Sequence, residues 1–249
     1  MRIHRTRRTR SLAVVLASLS LTALAACGDD DTSSSLDPAA CDAAVAYGTA
    51  FAQAPEDPAE IKSYAIEQML PIATTLVEHL KGDAKKSAET MRDAFAQVGE
   101  TGDPSGLLAP ATATAIAAVG KAVHDGCDLQ SVDIRAVEYV FQDAPTTLKA
   151  GRVSFALTNK GVEEHEMVLF KAADGVTEPL ADLLALPEEE GMAKLQFTGV
   201  TFGGPGTTSY AAVDLTPGTY FLVCFIPQGG GEEGPPHFMA GMQHTITVA

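Results

Sequence analysis

The segment Tyr220-Phe-Leu-Val-Cys224-Phe-Ile-Pro227, its continuation Gln228-Gly-Gly-Gly-Glu-Glu-Gly-Pro235, and the closing Pro236-His237-Phe-Met-Ala-Gly241-Met242-Gln-His-Thr-Ile-Thr-Val248 decide how this chain is read. An apolar run ends in a cysteine, a loop delivers a histidine and a methionine, and an alternating strand finishes the sequence. Thiolate, imidazole and thioether from one short region form a soft donor set that suits copper. A fourth donor has to come from elsewhere, and His165, which follows a polar turn, is the best placed.

Working outward, the region from Ser131 has a two-residue period. Val132, Ile134 and Ala136 alternate with polar residues, and the run through Glu138-Tyr139-Val140-Phe141 extends that strand. Val153, Phe155 and Leu157, Met167–Phe170, Tyr210–Leu215 and Tyr220–Phe225 read as further strands, with Thr216-Pro217-Gly218 as a turn. One helix is expected over Thr177–Glu190. Frequent turns between short strands indicate an antiparallel sandwich or barrel.

The first half has a different texture. Helices are expected over Pro38–Ala54, from Asp57-Pro58 to Gly82 with a kink at Pro71, over Ala84–Val98, and from Asp103-Pro104 to Asp125-Gly126. In the second of these, Ile61, Ala65, Met69, Ile72, Leu76 and Leu80 recur at three- and four-residue spacing and define one apolar face. Four antiparallel helices return the chain to its starting end. Cys41 and Cys127 then lie close together, and a disulfide between them closes the bundle. His79 and His124 have no second donor at matching spacing and read as surface or helix-end residues.

The N-terminus carries an export signal. Five arginines precede residue 11, and an apolar run over 11–26 is too short for a membrane span. Leu24-Ala25-Ala26-Cys27 resembles the lipobox of bacterial lipoproteins, which implies cleavage before Cys27 and a lipid on its sulfur. Residues 1–26 are then a signal peptide and 27–36, acidic and serine-rich, a tether. The expected location is the extracytoplasmic face of the cell membrane, with the lipid on Cys27 as the membrane contact. In that oxidising compartment, pairing Cys41 with Cys127 leaves Cys224 as the free thiol. A net charge of −15, with 17 Lys and Arg against 32 Asp and Glu, argues against nucleic acid as a partner.

Gly151-x3-Phe155-x3-Asn159-x-Gly161-x3-His165, then Pro217-Gly-x-Tyr220-x3-Cys224-x2-Pro227, then Pro236-His237-x3-Gly241-Met242 and a closing strand together resemble the cupredoxins, the blue-copper fold. The resemblance covers 131–249. It implies a Greek-key β-sandwich with His165, Cys224, His237 and Met242 as copper ligands, and a redox or copper-delivery protein as partner. The chain departs from the family pattern in its long insert between Pro227 and His237, which loosens the expected loop. Glu163 and Glu164 are also more polar than the usual surround, and Met239 and His244 are competing donors. The fold class is thus α+β: an N-terminal antiparallel helical bundle (37–128) before a cupredoxin-like sandwich (131–249). The expected role is electron transfer or copper handling at a mononuclear site; the alternative is a metal-free binding or scaffolding lipoprotein. No nucleophile elbow, HExxH or paired-carboxylate motif suggests an enzyme.

Overall fold

A computed structural model describes residues 35–55, 57–230 and 234–249. The expected signal peptide, the lipid-bearing Cys27, and all but the last two residues of the tether lie outside the described residues. Residues 33–249 form one compact unit.

The helical part comprises α1 (Pro38–Ala52), α2 (Pro58–Tyr64), α3 (Leu70–His79), α4 (Gly82–Thr101) and α5 (Pro110–Gly126). Asp37 and Asp57 cap α1 and α2, each carboxylate accepting from a backbone N–H two residues on at 2.9 Å, with proline in the first turn. Between α2 and α3 the chain makes a π-helical turn, Ala65–Met69. The expected kink at Pro71 takes this form because proline has no N–H and its ring crowds the carbonyl four residues back. One wider turn relieves that crowding without ending the helix. The expected fourth helix is shorter than its sequence pattern: Pro104–Leu108 is a separate 3-10 turn, and Pro110 starts α5 afresh.

Alanines 40, 43, 44, 73 and 88 pack with Met69, Leu76, Leu80, Met91, Phe95, Val119 and Val123 to form the helical core. The small side chains on α1 allow close helix packing. Both ends of the bundle meet: the Leu36 N–H donates to the Gly126 carbonyl at 2.8 Å, and Cys41 and Cys127 form a disulfide closing 86 residues. The two histidines of this part are held by other groups. His79 Nδ1 lies 2.8 Å from Asp37 Oδ2, and His124 Nδ1 lies 3.0 Å from Ser154 Oγ.

The second half contains β1 (Gln130–Val137), β2 (Val140–Gln142), β3 (Thr147–Leu148), β4 (Gly151–Asn159), β5 (His165–Ala172), α6 (Leu180–Leu184), α7 (Glu188–Met192), β6 (Leu195–Gly203), β7 (Thr208–Leu215), β8 (Gly218–Val223) and β9 (Gln243–Val248). Two sheets stack, in the orders β2-β1-β4-β7 and β3-β9-β8-β5-β6. Most neighbours are antiparallel, but β1 runs parallel to β4 and β3 parallel to β9, so the sandwich is mixed rather than purely antiparallel. The strand expected through Glu138–Phe141 folds back on itself, β2 pairing with the end of β1. Pro187 divides the expected helix into α6 and α7. Strand β6 has no counterpart in the sequence reading.

Strand alternation sorts the second sheet. Tyr220, Leu222 and Cys224 face the sandwich interior, with Met167 and Leu169 from β5 and Met242, Ile246 and Val248 from the last strand region. Phe221, Val223, Val168 and Phe170 face outward, where α6 supplies Leu180 and Leu183 as cover. The helical and sheet parts meet along β7, where α1 and α5 lie on the strand. A side chain at Gly48 would collide with the Ala212 carbonyl, and one at Gly120 would meet Tyr210 at 2.6 Å. Two glycines therefore set the closeness of that seam.

Candidate metal centre

The antiparallel pairing of β5 with β8 and of β8 with β9 brings three chain positions to one end of the interior sheet face. His165 opens β5, Cys224 directly follows β8, and Met242 directly precedes β9. His165 and Met167 share a face, as do Cys224 and Leu222, so the two-residue period aims both donors inward. His237 arrives from a 3-10 turn over His237–Ala240. His165, Cys224, His237 and Met242 are all fully buried.

His165 Nδ1 lies 3.1 Å from His237 Nδ1, and His237 Nδ1 lies 3.3 Å from Cys224 Sγ. The ligand atoms of these three residues lie within 4.8 Å of one another. A metal about 2.0–2.3 Å from each of three coplanar donors holds those donors about 3.5 Å apart. The two sides that meet at His237 Nδ1, 3.1 and 3.3 Å, lie close to that spacing. The donors also suit a soft cation: two imidazole nitrogens and a thiol sulfur converge on one buried point. The buried His165 Nε2 has no hydrogen-bond partner.

Met242 belongs to the same packed interior as Cys224. Its backbone is fixed at both ends, the N–H donating to the His237 carbonyl at 3.1 Å and the carbonyl accepting from the Cys224 N–H at 3.2 Å. The competing donors are directed elsewhere. Met239 is 68% exposed, and His244 Nε2 lies 3.0 Å from the Pro145 carbonyl.

The long insert is closed at its base. Pro227 and Pro236 form an antiparallel bridge, and the Gln228 N–H donates to the Pro235 carbonyl at 2.9 Å. Beyond that clamp, the His237 N–H donates to the Ile226 carbonyl and the Phe238 N–H to the Cys224 carbonyl, both at 2.9 Å. The ligand loop is effectively Cys224 to Pro227 joined to Pro236 to Met242, with the two ends of the insert held together at that clamp.

Two glutamates form the next layer. His237 Nε2 lies 3.0 Å from Glu163 Oε2, the arrangement that fixes a ligating imidazole with its outer N–H on a carboxylate. Glu163 also accepts from Tyr139 Oη at 3.0 Å and from the Gly229 N–H at 2.8 Å, so the insert contributes to the site. Glu138 Oε1 lies 3.5 Å from His165 Nε2 and accepts the backbone N–H groups of Val162 and Glu163. Gly161 makes room for it, because a side chain there would collide with the Glu138 carboxylate. Asn159 pins the same turn, donating to the carbonyls of Glu163 and Gly203 at 2.8 Å each and accepting from the Gly161 N–H.

These contacts set the ionisation. Burial pushes the Cys224 thiol up to about 11, against the pull of the backbone N–H groups of Glu166 and Ile226. Burial also lowers His165, with the neighbouring His237 acting in the same direction. The Glu163 N–H, foremost among its donors, holds Glu138 down to about 2. The Gly229 N–H lowers Glu163, and burial raises Glu166. An imidazole kept neutral at His165, carboxylates held ionised at Glu138 and Glu163, and a thiol that must lose its proton form a site organised to receive a soft cation.

The sequence reading did not assign Glu138 or Tyr139 to the site, and it noted Glu163 only as unusually polar. The one signal for Glu138 was its place at the end of an alternating strand, where a charged residue would otherwise face the core.

No family model matches the chain, and no curated protein matches it. Among solved structures, the C-terminal half is similar to auracyanin B (22% identity over 48% of this chain and 88% of that one, TM-score 0.33). It is similar to reduced auracyanin from the photosynthetic bacterium Roseiflexus castenholzii (20% identity, 48% and 97%, TM-score 0.35). A third similar structure is auracyanin A, a "blue" copper protein of the green thermophilic photosynthetic bacterium Chloroflexus aurantiacus (19% identity, 48% and 98%, TM-score 0.32).

Proposed function

We propose that this chain, with its cupredoxin-like second half, binds one copper ion and serves in electron transfer or copper handling outside the cytoplasm. The observation that carries the reading is the buried triangle of His165 Nδ1, His237 Nδ1 and Cys224 Sγ. Two imidazoles and a thiolate, with a thioether as weak axial donor, make a trigonal set that accommodates both oxidation states of copper. Bound copper would supply a one-electron couple.

The protein's own part is to hold the donors still. Cys224 is anchored by its backbone bond to Met242, and its sulfur receives the Glu166 N–H at 3.5 Å. Glu163 keeps the His237 proton on the outer nitrogen, leaving Nδ1 free to ligate. Full burial of all four residues excludes water from the donors. Donors fixed in this way limit the rearrangement between oxidation states. The lipid on Cys27, a place on the outer face of the cell membrane, and a redox or copper-delivery protein as partner complete the proposal. The lipid and the location are motivated by the sequence of residues 1–27, and the partner by the resemblance of 131–249 to the cupredoxins.

Titrating the purified protein with Cu(II) tests the reading. One equivalent should produce an intense thiolate-to-copper absorption in the visible, absent in Cys224→Ser. A wild type that stays colourless and also fails to take up Cu(I) would leave the metal-free binding or scaffolding lipoprotein as the better account.

A further inference from the structure

Where the helical part meets the sandwich, the seam is not filled. A cavity of about 510 Å³ lies between α1 and α5 on one side and β6 and β7 on the other, with Met91 and Phe95 of α4 reaching its wall. That volume is in the range that takes a small organic ligand. In a chain of net charge −15, none of the residues lining this cavity carries a formal charge. The polar groups on its wall are hydroxyls. Ser154 is engaged with His124, Thr207 with the Gly204 carbonyl, and Thr208 with Thr158. Thr114 donates to the Pro110 carbonyl, and Tyr47, Thr201, Ser209 and Tyr210 complete the hydroxyl-bearing residues of the wall.

The mouth is apolar as well. Phe51, Leu108 and Phe202 are among the few large apolar side chains left exposed among the described residues, and all three line this cavity. Isolated exposed apolar residues need no explanation, but three gathered around one opening mark a binding site. An apolar chamber without a charged residue on its wall and an aromatic and leucine rim form a consistent set.

We propose that this cavity binds a neutral, hydrocarbon-rich molecule of roughly 20–30 non-hydrogen atoms. The lack of any cation on the wall selects against carboxylates and phosphates, whose charge would be buried without compensation. The site is separate from the metal donors, although Gly203 on its wall pairs with His165 across the β5–β6 ladder. The inference therefore stands or falls independently of copper.

The test uses the neutral fluorophore N-phenylnaphthylamine with the full chain. Saturable binding of one probe per chain is expected. Ala117→Trp, which fills the cavity from α5, should weaken it by about tenfold or more, and Leu108→Glu, at a position already 74% exposed, should weaken it without disturbing the fold. Val140→Ser, at an exposed apolar site away from the cavity, should change nothing. In competition, hexadecanol should displace the probe at concentrations about tenfold lower than palmitate. Absence of saturable binding, or binding unchanged in both Ala117→Trp and Leu108→Glu, would overturn the site. Equal displacement by alcohol and carboxylate would overturn the assignment of a neutral ligand.

Discussion

Copper uptake by this protein should carry a steep and specific pH dependence, set by one buried thiol. Burial raises Cys224 to about 11, from an ordinary value of 9.0. At pH 7, well below that value, only a very small fraction of chains carries the thiolate, and deprotonation costs on the order of 5 kcal/mol that the metal has to offset. The apparent association constant should therefore rise about tenfold per pH unit from pH 7 to about 10, with one proton released per ion bound. His165 adds no second proton in this window, because burial moves its pKa down and leaves it neutral. The assay is a chelator competition at several pH values, with proton release measured by calorimetry in buffers of different ionisation enthalpy. The metal-free protein gives a companion effect of defined sign. The folded state holds the Cys224 proton that the unfolded state releases between pH 9 and about 11, so stability falls as pH rises through that interval, by roughly 3 kcal/mol at most. Cys224→Ser should remove that slope. A pH-independent affinity with no proton release would refute the reasoning, since it would mean that Cys224 is not a ligand or is already ionised.

Three further outcomes are expected. Glu163→Gln leaves the His237 Nε2–H facing a neutral amide and should lower copper affinity by about 10–100-fold, as read by chelator competition; a change under about twofold would remove Glu163 from the site. Replacing residues 229–234 with Asn-Gly preserves the Gln228–Pro235 closure and the Pro227–Pro236 bridge, so the visible copper band should keep its position, whereas its loss would show that the insert itself shapes the ligand loop. Replacing Cys41 and Cys127 with alanine opens an 86-residue loop worth about 4.6 kcal/mol by chain entropy, and the melting temperature should fall by roughly 10–15 °C while copper uptake at 25 °C persists.

What the sequence disclosed follows from where the physical signal is local. Cys224, His237 and Met242 are joined by one loop, and the turn residues Asn159 and Gly161 stand just before His165, so the stretches that carry the resemblance to the cupredoxins also carry its implied donors. Helix starts at Asp37-Pro38 and Asp57-Pro58 were readable for the same reason: a cap and a first-turn proline act within one turn. Long-range pairing was not readable. The parallel contacts of β1 with β4 and β3 with β9 join segments whose own periodicity is the same in either direction. Glu138 reaches His165 only because the chain folds back after β1 and Gly161 leaves space. The insert looked like slack in the loop, since the hydrogen bonds that close it at Gln228 and Pro235 involve backbone atoms common to every residue type. Strand β6 and the apolar cavity it borders depend on tertiary packing at the seam.

The most direct test of the central claim is X-ray absorption at the copper edge on the loaded protein. The account predicts a first shell of one short sulfur and two imidazole nitrogens, with the sulfur lost in Cys224→Ser and one imidazole lost in His165→Ala. A shell of oxygen and nitrogen alone, unchanged by either substitution, would contradict it.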